Sequence, residues 1–315
     1  MKKLTAIILI LMIALSSSVF AADFKDMPND WSTAALNAAV KNGLLTGSNG
    51  YIKASDNMSR AEMATIMVRA CGATKTADIS EFTDVKSDDW YYDYMSKAVA
   101  MGAFAGSDGK LNPNNPITRQ EAFLVLSRVF GLTAGLDADE GVLDQFKDSN
   151  KIADWAKSGV RAIVQRGYVA GSNGLINPLA NISRAEFAVV MDRLIKYYID
   201  DFSDEIPEDG NMMIRIPATA LSDLKTDKMV VLGDAMGDCV IDLRNNEISG
   251  KLVVRGGSKV SLSNGKFNEV SVMVPGVELN AFSSSVKKAY CCKDSTFILP
   301  AIVGGDIENT NEAGE

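Results

Sequence analysis

The 315-residue chain contains no histidine. That absence removes Ser-His-Asp and Cys-His nucleophilic catalysis, together with zinc sites built on imidazole. Cysteine is scarce, and Cys71, Cys239, Cys291 and Cys292 lack the paired spacing of a thiolate metal site. The adjacent Cys291 and Cys292 cannot easily bond each other. A bridge from Cys239 to either of them is open, and so is a role for these residues as small buried apolar groups. An excess of basic residues is also missing. Lys and Arg number 32 against 40 Asp and Glu, a formal net charge of −8. No nucleic-acid partner is expected, because that affinity rests on cations set against phosphates. Residues 1–21 read as an export signal: Lys2 and Lys3, an apolar run from Ile7 to Leu15, then Val19-Phe20-Ala21. Beyond them no stretch of 18 apolar residues occurs, so no membrane span is expected in the mature protein. In residues 211–303 no phosphate loop, metal cluster or paired carboxylates rise above background, and neither a cofactor nor a metal is expected of the chain.

What the chain does have is one pattern written three times, from Phe24 to Arg69, Phe82 to Arg128 and Phe146 to Arg193. Each copy opens with Phe-x-Asp (Asp26, Asp84, Asp148) and reaches an Asp-Trp pair ending in Trp31, Trp90 or Trp155. Each Trp is followed at 12 residues by Gly43, Gly102 or Gly167, and 4 later by Gly47, Gly106 or Gly171. Another 13 residues lead to Arg60, Arg119 or Arg184, and 2 more to Glu62, Glu121 or Glu186. Five positions held in register three times mean one supersecondary unit, each copy burying its apolar face against its siblings.

In the second copy Trp90, Tyr94, Ala98, Val99 and Met101 recur near helical spacing, and Gly102 ends that helix. Gly106-Ser-Asp-Gly109 reads as a tight turn, Leu111-Asn-Pro113 as a short extended piece, and Thr118 to about Phe130 as a second helix. Ser59, Thr118 and Ser183 each stand three residues before a Glu, so the second helix of every copy starts with a capping box that explains Glu62, Glu121 and Glu186. The intervening Arg is less easily explained. A cation at the first helical position opposes the helix dipole, at about 0.3–1 kcal/mol. Its recurrence implies an offsetting partner: either an external anion held beside the free amides, or an Asp such as Asp26, Asp84 or Asp148. Arg69, Arg128 and Arg193 lie near helix C-termini, where a cation suits the dipole. The three Trp are expected in the core with one edge exposed, able to stack on a sugar ring.

These residues resemble the S-layer homology domain, whose Ile-Thr-Arg-Ala-Glu-like motif is matched by Met58-Ser-Arg-Ala-Glu62, Ile117-Thr-Arg-Gln-Glu121 and Ile182-Ser-Arg-Ala-Glu186. The resemblance covers residues 24 to about 195. It implies an exported bacterial protein whose three copies form a pseudo-threefold, mainly α-helical bundle. It further implies grooves between copies that hold a secondary cell-wall polysaccharide attached to peptidoglycan, often one carrying a pyruvate ketal. Carried over by position, the groove residues are Arg60, Arg119 and Arg184, Trp31, Trp90 and Trp155, Asp26, Asp84 and Asp148, and Gly47, Gly106 and Gly171. Other surface-layer proteins are further partners on this reading. The chain departs from the pattern where Lys53-Ala54 replaces the Pro113 and Pro178 segments, and where Gln120 replaces a small residue.

The organisation expected is a signal at 1–21, repeats at 22–72, 80–132 and 144–197, an acidic linker at 198–210, a β-rich domain at 211–303 and a disordered tail at 304–315. The β-region alternates with period two in short strands broken by Gly256-Gly257, Asn264-Gly265 and Pro275-Gly276, which suits a small sandwich or, somewhat better, a β-solenoid. The functional expectation is a non-enzymatic protein of the cell wall and cell surface, anchored by its repeats, with the β-domain displayed or used for assembly. The alternative is a wall-anchored carbohydrate-active enzyme working through acids such as Asp223 and Asp227.

Overall fold

A computed structural model describes residues 24–133, 140–201, 206–217, 220–281, 283–292, 294–298 and 306–308. The expected export signal lies outside these residues. Six helices form the first body: α1 (Thr33–Lys41), α2 (Arg60–Cys71), α3 (Tyr92–Ala100), α4 (Arg119–Val129), α5 (Asp154–Gln165) and α6 (Arg184–Leu194). The capping boxes form in all three copies. Ser59, Thr118 and Ser183 each accept the amide of the Glu three residues on, and that Glu accepts the amide of the cap residue. Gly72, at φ +65, ends α2 in the left-handed region.

The copies pack on one another. The second helix of each packs on the first helix of the next: α2 on α3, α4 on α5, and α6 back on α1. At the axis the Met58 amide donates to the Ile182 carbonyl, Ile117 to Met58, and Ile182 to Ile117. Three copies thereby close a ring with pseudo-threefold symmetry. Gln120, out of pattern in the sequence, is buried and accepts the amide of Ala153 at 3.0 Å, just ahead of α5. It serves α5, whose cap residue Ala153 has no side-chain acceptor.

The second body is a parallel β-solenoid of about five turns. One sheet holds β1 (Tyr197–Ile199), β2 (Met212–Ile214), β5 (Met229–Leu232), β7 (Glu247–Val254), β9 (Lys266–Val272), β11 (Ser285–Cys291) and β13 (Asp306–Glu308), with β4 (Lys225–Thr226) beside β7. The other holds β3 (Ala220–Ser222), β6 (Val240–Arg244), β8 (Lys259–Ser263), β10 (Glu278–Asn280) and β12 (Thr296–Ile298). Every pairing is parallel, which favours the solenoid over the sandwich. β-Structure begins at Tyr197, ahead of the linker expected at 198–210, and Asp306–Glu308 of the expected tail pairs with β11. Val230, Leu252, Val270 and Ala289 stack in register inside the coil. At its corners Asp223, Asn245, Asn264 and Ser283 adopt φ of 62, 56, 53 and 54°, a region that Asn and Asp tolerate best among side-chain-bearing residues. The buried Asn246 side chain accepts the Leu224 amide and donates to the Leu221 carbonyl, stitching one turn to the next.

Part of the outer face of the larger sheet is covered by the helices, while residues such as Asn268 and Lys288 stay exposed. Met213, Met229, Val231 and Val253 belong to the same core as the helices. Three cations of this sheet region meet the ends of helices. Arg215 donates to the carbonyls of Asn42 and Arg69, and Lys251 to that of Gly131. Arg255, fully buried, donates to Val129 at 2.8 Å and Met101 at 3.0 Å while holding Asp234 at 2.7 Å. These carbonyls are the unpaired acceptors at the negative ends of α1 to α4. All four cysteines are free thiols. Cys71 is buried at this junction, where burial pushes its thiol pKa up to about 12 and keeps it neutral.

Candidate functional site

The motif arginines and glutamates interlock around the ring. Arg60 Nη1 meets Glu121 at 3.1 Å, Arg119 meets Glu186 at 2.8 Å, and Arg184 meets Glu62 at 2.8 Å. Each Nε donates at 2.9 Å to a carbonyl of the same neighbouring copy: Leu111, Ile176 and Ile52 respectively. So the ion-pair partner is the capping-box Glu of an adjacent repeat, where the sequence offered an external anion or an Asp. One Glu oxygen caps its own helix and the other receives the neighbour's arginine. Burial pulls the pKa of Arg60 and Arg119 down, opposed by Glu121 with Asp84 in one case and Glu186 with Asp148 in the other. Nη2 of all three arginines has no hydrogen-bond partner among the described residues.

Asp26, Asp84 and Asp148 each accept two backbone amides of the extended piece: Ile52 and Lys53, Leu111 and Asn112, Ile176 and Asn177. They fix the strand that carries the arginine's carbonyl partner. The turn glycines receive the motif phenylalanines edge-on. A Cβ on Gly47 would lie 2.2 Å from the Phe24 ring, and one on Gly106 2.1 Å from Phe82. The Phe-x-Asp entry is therefore packed on its turn, and the need for glycine is steric.

The tryptophans depart most from expectation. Trp31, Trp90 and Trp155 are 66, 61 and 55% exposed, so they stand clear of the core. A cavity of about 460 Å³ lies between copies one and two. Gly47, Tyr51, Lys53, Glu62 and Arg69 of copy one line it, with Trp90 from copy two and Arg184 from copy three. Three of the twelve candidate residues, Gly47, Trp90 and Arg184, thus meet in one groove. The pseudo-threefold relation matches them with Gly106, Trp155 and Arg60, and with Gly171, Trp31 and Arg119. Tyr51, Lys53 and Arg69 were not singled out for the groove by the sequence. The signal available was the break in pattern at Lys53 and the fixed position of Arg69 after Glu62.

The acidic residues of the solenoid are engaged separately. Asp234 pairs with Arg255, Asp238 with Lys75, Asp242 with Arg244 and Asp227 with Lys228, while Asp223 accepts from Asn245. Among the described residues no His, Cys, Asp or Glu cluster could hold a metal ion, and no helix is long and apolar enough to cross a membrane.

Comparison with known proteins agrees with this geometry. The S-layer homology domain family matches residues 23–64, 81–123 and 145–188. The chain is 35% identical over 190 residues to the surface-layer 125 kDa protein of Lysinibacillus sphaericus, covering 58% of this chain and 16% of that protein. It is 28% identical over 154 residues to the cellulosome-anchoring protein of Acetivibrio thermocellus (47% and 34% of the two chains), and 26% over 175 residues to the amylopullulanase of Thermoanaerobacterium thermosulfurigenes (55% and 9%). The chain thus corresponds to about a third or less of each of these relatives. The family match falls on the three interlocked copies, and this is a protein of three tandem S-layer homology domains followed by a parallel β-solenoid.

Proposed function

We propose that the helical ring anchors this exported protein non-covalently to the bacterial cell surface by holding an anionic secondary wall polysaccharide in the grooves between copies. The observation that carries this reading is a groove uniting an exposed Trp90, free to stack on a sugar ring, with Arg184, whose Nη2 is left over after the ion pair to Glu62. A carboxylate substituent on the glycan, such as a pyruvyl ketal, is the group that this nitrogen would take. Residues 22–72, 80–132 and 144–197 are the anchoring copies. The solenoid, fixed to the far ends of the same helices, serves display or assembly without catalysis of its own.

The test is sedimentation of the chain from residue 22 onward with native wall sacculi and with sacculi stripped of secondary polymer. The variant of choice is Trp31/Trp90/Trp155→Ala, because the arginines also hold the ring together and their loss would confound folding with binding. Wild type should pellet only with polymer-bearing walls, and the triple variant should stay folded and remain in solution. Equal pelleting with stripped walls, or by the triple variant, would sink the proposal.

A further inference from the structure

We propose that the groove between copies one and two is the principal binding groove, and that Lys53 selects in it for a glycan unit bearing an acidic substituent. The inference rests on the anchoring reading and goes beyond it by making the three grooves unequal. Lys53 stands at φ +54, while the matching positions of the other copies hold Asn112 and Asn177 at +53 and +51. Asparagine accepts this left-handed conformation far more readily than lysine does. Packing compensates little, since the Lys53 side chain is exposed, forms no ion pair with a described residue and feels only the charge of Asp26 at a distance. Backbone in a disfavoured conformation persists where the surroundings fix it, and such sites cluster at ligand clamps. Here the surroundings are explicit. Asp26 accepts the Lys53 amide, and Arg184 Nε donates to the carbonyl of Ile52, the residue before it.

The chemistry follows from charge. Arg184 is largely balanced by Glu62, so on its own it offers a hydrogen-bond donor more than a net field. Lys53 adds to the wall that Trp90 overlooks a second cation, one that feels the Asp26 carboxylate only at a distance and forms no ion pair with a described residue. At the two positions held by Tyr51 and Lys53, copy two has Lys110 and Asn112, and copy three Leu175 and Asn177. The lysine of copy two is displaced by two residues along the strand, and copy three has none there. The ordering expected is first groove over second over third.

Lys53→Asn tests this in the chain from residue 22 onward, because it installs the residue the other copies use at that conformation. Native sacculi are the probe, titrated at low salt and at about 0.15 M. Lys53→Asn should weaken wall binding about fivefold, the scale of one partly solvated charge contact, and flatten the salt dependence. Its melting temperature should equal or exceed that of wild type, which separates lost binding from lost folding. Trp90→Ala should weaken binding more than Trp31→Ala does. Wild-type affinity at both salts for Lys53→Asn, with wild type bound to the walls, overturns the role of Lys53 and leaves the anchoring reading standing. If wild type itself does not bind polymer-bearing walls, both fall.

Discussion

The two ends of helices α2, α4 and α6 place cations under opposite rules. At the N-terminal ends Arg60, Arg119 and Arg184 sit against the dipole, and each is tied to the glutamate of a neighbouring copy. At the C-terminal ends of α2 and α4, Arg215, Lys251 and Arg255 of the solenoid sit with the dipole on carbonyls that no helix can satisfy. The first arrangement closes the ring on itself and leaves one nitrogen of each guanidinium to spare. The second uses the cations up: Arg255 donates to two carbonyls and to Asp234 and is closed to solvent. A cation held against the dipole by a partner keeps a nitrogen unspent, whereas one that completes a helix end becomes part of the fold.

The sharpest way to break this comparison is Arg255→Met. It strands the carboxylate of Asp234 and two helix carbonyls inside the junction, and should cost about 3 kcal/mol in urea unfolding of the whole chain. Adding Asp234→Leu should recover a good part of that loss, since the stranded charge is the larger share of it. At the other end Arg119→Met leaves Glu186 without its partner and the Ile176 carbonyl without a donor, for about 1–2 kcal/mol. A loss at Arg119 as large as that at Arg255 would erase the distinction.

How far the sequence reveals each end follows from the same difference. The capping boxes, the turn glycines and the Arg-Glu spacing are local, so the repeats and their helices can be read directly. The partner of each arginine could not be, because Glu121 lies 61 residues from Arg60 and only ring closure brings them together. The exposure of the tryptophans was missed because helical spacing cannot distinguish a core face from a groove rim. In the solenoid, period two marked the strands. The corners were also present, as left-handed Asp223, Asn245, Asn264 and Ser283, but turns of unlike sequence do not announce a rung. The junction was illegible. Lys251 and Arg255 stand where an outward strand residue meets water, and only the docked helices make them interior.

A pH titration sharpens the contrast by a smaller amount. Burial, opposed by Glu269, pushes the Lys251 pKa down to about 8 from the ordinary 10.5. Between those values the unfolded chain holds a proton that the folded chain has released, so this group makes stability rise with pH. The urea midpoint should increase from pH 7.5 to 9 in wild type relative to Lys251→Met, a comparison in which the ionisation of the four free thiols, at about 8.5 once unfolded, is common to both chains and cancels. The smallest effect belongs to Trp90→Ala. The side chain has an edge contact with Tyr91 at 5.4 Å and is otherwise largely in solvent, so its loss should move stability by less than about 0.5 kcal/mol.

Closure of the ring also dictates an order of events. The partner of α1 is α6, so the first of these six helices waits for the last. Copy one cannot be completed while copy three is absent, and the hydrogen bonds that join Met58 to Ile182 form across most of the helical body. Such non-local pairing delays folding until late in chain delivery. Until the third copy is present, α2 with α3 and α4 with α5 can pair, but α1 has no helix to close on, so the last repeat decides whether the body is a ring or an open stack.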